Sequence, residues 1–129
     1  LAGDATTKIL VDIGGGKVTV DKDGNVKTIG TIIAQNIETG NITITKNTTG
    51  QTAGKGQISA GKSSVTIETA AVGLDANIHL TATTPMGGNS LYVSATKDLE
   101  SFTVSVDGGS AASDIKFNWL IINTKLSSN

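Results

Sequence analysis

The sequence predicts an all-β protein, and three features carry that prediction. Apolar and polar residues alternate at a period of two along most of the chain, which sets one row of side chains on each face of an extended strand. The strand-favouring types Val, Ile and Thr fill these runs, and turn-forming Gly, Asn and Asp clusters separate them at short intervals. No run keeps the 3.6-residue spacing of an amphipathic helix.

Taken in order, TKILVDI is the first expected strand, with Ile9, Val11 and Ile13 on one face and Gly14 to Gly16 ending it. KVTVDKDGNVKTIGTII reads as a hairpin: Val18 and Val20 lead into a turn over Asp21 to Asn25, and a return strand starts at Val26. GNITITK sets Ile42 and Ile44 on a single face. NTTGQTAGKG, residues 47–56, gathers Gly, Thr and polar residues without periodicity and reads as a linker. GQISAGKSSVTIET is expected to be a hairpin turning at Ala60 to Lys62, with Val65 and Ile67 inward. NIHLTATT directs Ile78, Leu80 and Ala82 one way, SLYVSAT directs Leu91, Val93 and Ala95 inward and Tyr92 outward, and SFTVSV aligns Phe102, Val104 and Val106.

IKFNWLIIN closes the series. One face holds Ile115, Phe117, Trp119 and Ile121, the bulk expected to key a core with Phe102, Val104, Leu80 and Val65. The other face starts polar at Lys116 and Asn118 and turns apolar at Leu120 and Ile122, as a strand does when one end is covered on both sides.

Three regions follow: N-terminal β segments over 1–46, the linker 47–56, and a small antiparallel β-sandwich over 57–129. The first region is too short to bury enough surface alone. Roughly 50 residues of one-faced strands without an aromatic side chain fall short of offsetting chain entropy, so they need a partner surface. That surface is either the second half of the same chain or, as favoured here, the stacked Ile, Val and Thr faces of other copies, in a fibrous, β-helix-like or donor-strand arrangement.

Composition narrows the function classes. A formal net charge of -1 gives no electrostatic footprint for nucleic acid or an anionic membrane. No apolar run approaches the roughly 18 residues of a membrane span. The chain has no cysteine, hence no disulfide or thiolate chemistry. Leu1 in place of Met is expected of a processed chain or a fragment.

Each motif that suggests chemistry has a plainer reading. GQISAGKS, Gly56 to Ser63, satisfies the P-loop pattern G-x-x-x-x-G-K-[ST], but a phosphate cradle needs a helix after the glycine turn. The alternating, β-branched SVTIET that follows is a strand. DKDGN, Asp21 to Asn25, places oxygens at alternate positions, yet an EF-hand loop needs Gly sixth and Glu twelfth, where this run has Gly24 fourth and Ile32 twelfth. His79 faces outward beside Asn77 and Thr81 with no second His or Cys to complete a metal site or dyad. Asp98 and Glu100 sit in a hairpin connection, and Asn41 and Asn47 open N-x-[ST] sequons. No catalytic, cofactor or metal residue is assigned, and the expectation is a protein that is not an enzyme.

The runs GKGQISAGKSSVTIET, IHLTATTPMGGNSLYVSA, SFTVSV and DIKFNWLIIN resemble a small C-terminal β domain of bacterial extracellular fibrous proteins and phage tail-fibre-like proteins. GGGKVTVDKDGNVKTIGTIIAQNI is similar to the repeated β segments that lead into such domains. The resemblance implies a structural part: homotrimeric or polymeric fibres with the β domain as cap, interface or tip.

The expected function is therefore a secreted, self-assembling subunit of an extracellular or cell-surface fibre, whose partners are other copies of itself. Ile9, Val11 and Ile13 are the candidate register positions for strand exchange, and Leu120 and Ile122 the candidate contact with another copy. The alternative is a fibre-tip module for a cell-surface glycan. Sugar sites favour an exposed aromatic platform, and Tyr92 is the one aromatic that alternation turns outward.

Overall fold

A computed structural model describes residues 9–46 and 49–125. It is all-β, with nine strands: β1 Ile9–Ile13, β2 Val18–Asp21, β3 Val26–Thr28, β4 Ala53–Ile58, β5 Ser64–Glu68, β6 Ala76–Ala82, β7 Leu91–Lys97, β8 Ser101–Val106 and β9 Ile115–Asn123. They form three antiparallel sheets, ordered β1-β2-β3, β4-β9-β6 and β5-β8-β7. The chain falls into two units, Leu1–Ile42 and Thr43–Asn129.

The first unit is a three-stranded meander. Gly14, Gly15 and Gly16 all take positive φ between β1 and β2, a turn that residues with a Cβ resist. Between β2 and β3 the Asp21 carboxylate organises the turn. Its Oδ1 accepts from the Asp23 and Asn25 N–H groups, both at 2.9 Å, and its Oδ2 accepts from Asn25 Nδ2 at 2.9 Å. Pairing of Ile13 with Val18 and of Val20 with both Val11 and Val26 gathers apolar residues on one face. That face is poorly covered, with Ile13 and Val26 exposed.

Two expectations change here. A bulge between Ile9 and Val11 pairs Ile9 with Asp21, so the row Ile9, Val11, Ile13 is interrupted. The Ile9 side chain and residues Thr7 and Lys8 of the expected strand lie outside the described set. The return strand also stops early: β3 is three residues long, and GNITITK forms no ladder. From Ile29 to Lys46 the chain forms no strand and bends at Ile29, Gly30, Gln35 and Gly40, and this stretch is called the strap below.

The second unit is a sandwich of two three-stranded sheets. Phe117, Trp119 and Ile121 of β9 face Phe102, Val104 and Val106 of β8 across the gap, all buried. Phe102 and Trp119 meet edge to face, with centroids 5.3 Å apart at 73°. Val65, Ile67, Leu80, Leu91 and Val93 pack against this cluster.

Both ends of the sandwich are plugged by loops. Val72, fully buried, sits in the β5–β6 connection; its carbonyl accepts from Leu99 N–H at 2.7 Å, and Asn123 clasps the neighbouring Ala71 and Gly73. At the other end Ala111 is buried, exchanging backbone bonds with Gly61 and Lys62 at 2.7 and 2.8 Å.

The expected linker 47–56 is in part strand, since β4 begins at Ala53; residues 47 and 48 lie outside the described set. Its glycines have a packing reason. Gly54 pairs with Trp119 and Gly56 with Phe117 on the inner face of the sheet. A Cβ at Gly54 would lie 2.7 Å from Trp119 Cζ2, and one at Gly56 would lie 2.7 Å from Phe117 Cε2 and nearer still to Cζ. The two glycines are the space that the two large rings occupy.

Two further corrections concern register and connection. β4 and β5 do not pair, so GQISAGKSSVTIET crosses from one sheet to the other instead of forming a hairpin. A bulge between Val93 and Ala95 reverses the phase of β7: Ala95 pairs with Thr103 on the outer face and is exposed, against the inward position alternation assigns it.

Candidate assembly surfaces

The motifs with a chemical reading resolve into turns and surface positions. The stretch Gly56 to Ser63 is strand, turn and the approach to β5, with no helix after it. Its peptide groups are committed to other loops: Gly61 N–H donates to Ala111 O, Lys62 N–H to Ser59 O at 3.0 Å, and Ala60 N–H to Asp114 Oδ1 at 2.9 Å. The Asp21 turn spends its carboxylate oxygens on the chain's own N–H groups. Those bonds, Asn25 Nδ2 first among them, hold the carboxyl below its ordinary range. Among the described residues no three His, Cys, Asp or Glu side chains gather as a metal-ligand group.

His79 lies on the outer face of the β4-β9-β6 sheet, paired with Leu120 and exposed. Glu100 pairs with Lys97 at 2.6 Å in the β7–β8 turn, where Asp98 is exposed. Asn41 is exposed, while Asn47 lies outside the described set.

The candidate contact residues fall on two separate surfaces. Leu120 and Ile122 share the outer face of the β4-β9-β6 sheet with Ala53, His79 and Asn77. Leu120 is half-buried and Ile122 exposed, and the same strand carries exposed Lys116 and Asn118 nearer its start. One face of one strand thus passes from polar to apolar, as its sequence predicts. Val11 and Ile13 sit instead in the meander of the first unit, in a strand already paired with β2.

Tyr92 projects from the outer face of the other sheet and is half-exposed. Around it lie hydroxyls in a ladder: Ser94 Oγ and Ser105 Oγ are 2.7 Å apart, and Thr66 Oγ1 and Thr103 Oγ1 are 3.1 Å apart.

Among the described residues, the longest series of exposed large apolar side chains lies elsewhere, in the strap. Ile29, Ile32, Ile33, Ile37 and Ile42 are all strongly exposed, Ile33 at 93%, and Ile44 less so. Beyond Ile29 N–H, which donates to Lys17 O at 3.1 Å, no backbone–backbone hydrogen bond is formed by the strap among the described residues. Six isoleucines on a segment without a ladder are costly to leave in water. The sequence places Ile29, Ile32 and Ile33 in the return strand that starts at Val26, and Ile42 and Ile44 on the face of another; β3 ends at Thr28, and the spacing of Ile29, Ile32, Ile33 and Ile37 fits neither period cleanly.

Close to the end of the strap, a groove of about 260 Å³ runs along the outer edge of β4. Ile44, Ala53, Gly54 and Trp119 form its apolar floor, and Lys46, Lys55 and Asn118 its rim. Trp119 is 5% exposed, and its Nε1 is buried without a hydrogen-bond partner.

No helix among the described residues is long and apolar enough to cross a membrane. No protein-family model, curated protein or solved structure matches the chain.

Proposed function

We propose that this chain is the subunit of a self-assembling extracellular fibre or filament, with other copies of itself as its partners. The observation that carries the reading is the strap: a described segment of 18 residues, 29–46, with six isoleucines directed to solvent and a backbone almost without partners. In a lone chain that surface stays wet. In an assembly the same residues gain both apolar burial and a hydrogen-bonded ladder from neighbouring copies. The resemblance of the strand runs to fibre-associated β domains, the poorly covered face of the first unit and the Leu120/Ile122 patch support the same reading.

The test is the mass of the purified full chain by size exclusion with light scattering, across a hundredfold range of concentration. A particle of several chains that dissociates on dilution is the expected result. A monomer at every concentration refutes the assembly.

A second reading, a glycan-recognising tip, rests on Tyr92 standing among serine and threonine hydroxyls. A multivalent sample of the chain on a glycan array tests it, with Tyr92→Ala as the control that removes the platform. Signal that survives Tyr92→Ala removes this surface from consideration.

A further inference from the structure

We propose that the open edge of β4 accepts the isoleucine strap of a second copy of this chain, which adds there as an outer strand with Ile33 seated in the groove beside Gly54. The inference rests on the assembly reading and names the contact within it.

Four observations converge on this edge. The first is the direction of the β4 peptide groups. Ile121 N–H donates to Thr52 O at 2.7 Å, which makes Thr52 and Ile121 a hydrogen-bonded pair. Alternation along the antiparallel ladder then turns the peptide groups of Gly54 and Gly56 toward β9, and those of Lys55 and Gln57 away from it. Among the described residues the outward groups of Lys55 and Gln57 have no backbone partner, so a row of donors and acceptors is open.

The second observation is the groove itself. Because residue 54 has no side chain, the Cε2–Cζ2 edge of Trp119 lies against the strand edge and gives the groove an apolar floor; the Gln51 amide, which donates to Ala53 O at 2.6 Å, also reaches the space over Gly54 and is displaced by an incoming strand. The third is the buried Trp119 Nε1, one bond from the Cε2 atom that faces Gly54, which holds an unused donor. A buried donor without an acceptor is a standing cost, and a strand laid along β4 brings carbonyl oxygens to it.

The fourth observation is the strap's matching need. In extended form Ile33, Gln35 and Ile37 share one side, and the backbone from 31 onward has no ladder. The chain's own Ile44 and Lys46 already form a wall of the groove, with no ladder bond to β4 and with the groove still open, so the occupant comes from another copy.

The other edges fit less well. The edge of β7 is broken by the bulge between Val93 and Ala95. β5 and β6 carry side chains at their inward positions, Val65 and Ile67 in one and Ile78 and Leu80 in the other, so neither edge has the gap that Gly54 leaves beside a ring. Since every copy carries one strap and one β4 edge, the contact is head-to-tail and propagates into an open filament or closes into a ring.

The absence of native cysteine makes the test clean. Full-length Ile33→Cys and Lys55→Cys chains, one with a size tag, are mixed and treated with a short bismaleimide. A mixed covalent dimer at least tenfold above the yield with Thr66→Cys, on β5, is expected. In parallel, a synthetic peptide of residues 29–46 is added to isotopically labelled wild-type chain. The indole N–H resonance of the single Trp is expected to shift, and not to shift with the Ile33→Asp peptide.

Three results overturn the proposal: equal yield at Thr66→Cys, cross-links confined to pairs of Ile33→Cys chains, or efficient cross-linking within one chain in the diluted double variant. Failure of the assembly reading is separable. A chain that stays monomeric while its indole resonance follows the peptide refutes assembly and keeps the acceptor edge. An assembled chain with an unmoved indole and no mixed dimer refutes the acceptor edge alone.

Discussion

Replacing Gly56 by alanine adds one methyl group to β4, and its cost follows from where that methyl lands. The new Cβ falls 2.7 Å from Cε2 and 3.0 Å from Cε1 of Phe117, and nearer still to Cζ. Carbon atoms settle at roughly 3.5–4.0 Å, so three overlaps of half an ångström or more arise together. Phe117 cannot retreat cheaply, because it is 1% exposed and sits in the cluster that joins the two sheets. Overpacking of a tight core costs roughly 1–3 kcal/mol, and the number of overlaps places Gly56→Ala at about 3 kcal/mol. For a unit of this size each kcal/mol moves Tm by about 4–8 °C, so a fall of about 12–24 °C is expected. Thermal unfolding followed by Trp119 fluorescence reads it. Gly40→Ala is the control, since a Cβ there meets nothing within 4 Å and no positive φ resists it. A companion change, Phe117→Leu, should recover part of the loss in a double-mutant cycle, because it removes the ring atoms that clash. A Gly56→Ala Tm within 2 °C of wild type refutes the argument that β4 carries glycine to admit the ring.

Other consequences are tested on the same chain. Val72→Ala empties part of the plug at one end of the sandwich and should cost ~2 kcal/mol in denaturant unfolding, with an unchanged m-value. Leu120→Asp should leave the circular dichroism spectrum intact and reduce the particle size by light scattering; unfolding instead places Leu120 in the core. Ionised Asp21 is favoured by the folded turn, so its contribution is complete above the ordinary carboxylate range and is lost as pH falls through its depressed native value. An NMR titration of the Asn25 side-chain amide should follow that loss on acidification, and Asp21→Asn should abolish the dependence. Ile33→Asp combined with Ile37→Asp should raise solubility and, by removing a contact between copies, make the Tm of the sandwich independent of chain concentration.

Much of the sandwich was legible in the residues. Alternation locates five of its six strands, all but β4, and the inward rows Phe102/Val104/Val106 and Phe117/Trp119/Ile121 are the buried rows of the fold. The polar-to-apolar change along Lys116, Asn118, Leu120 and Ile122 is equally visible in sequence and on the sheet. What escaped had specific causes. Gly54 and Gly56 read as a linker because glycine signals freedom; nothing local reveals that Trp119 and Phe117, over 60 positions away, need their space. Ala95 was assigned inward because a bulge shifts phase without a marker in the sequence. Val72 and Ala111 plug the ends from loops, where period-two reasoning has no purchase. Unpaired apolar surface is the hardest feature to read: Val11 and Ile13 alternate, yet β1 pairs with β2, while the exposed isoleucines of the strap follow no clean period.

The pairing pattern of the sandwich sets the order in which it becomes possible to fold. β4 and β6 pair only with β9, and β5 and β7 only with β8, so none of the four earlier strands has a ladder partner among the others. During synthesis they leave the ribosome as orphans, and only β7 meets a close sequence neighbour when β8 appears. The first unit and the strap emerge still earlier. A chain cut anywhere before β9 therefore retains at most one of the two sheets of the sandwich and none of the facing core, and the domain is in effect proofread for completeness by its own topology. With the heaviest apolar strand following the other five of the sandwich, the pairing of β4 with β9 is among the last contacts to form.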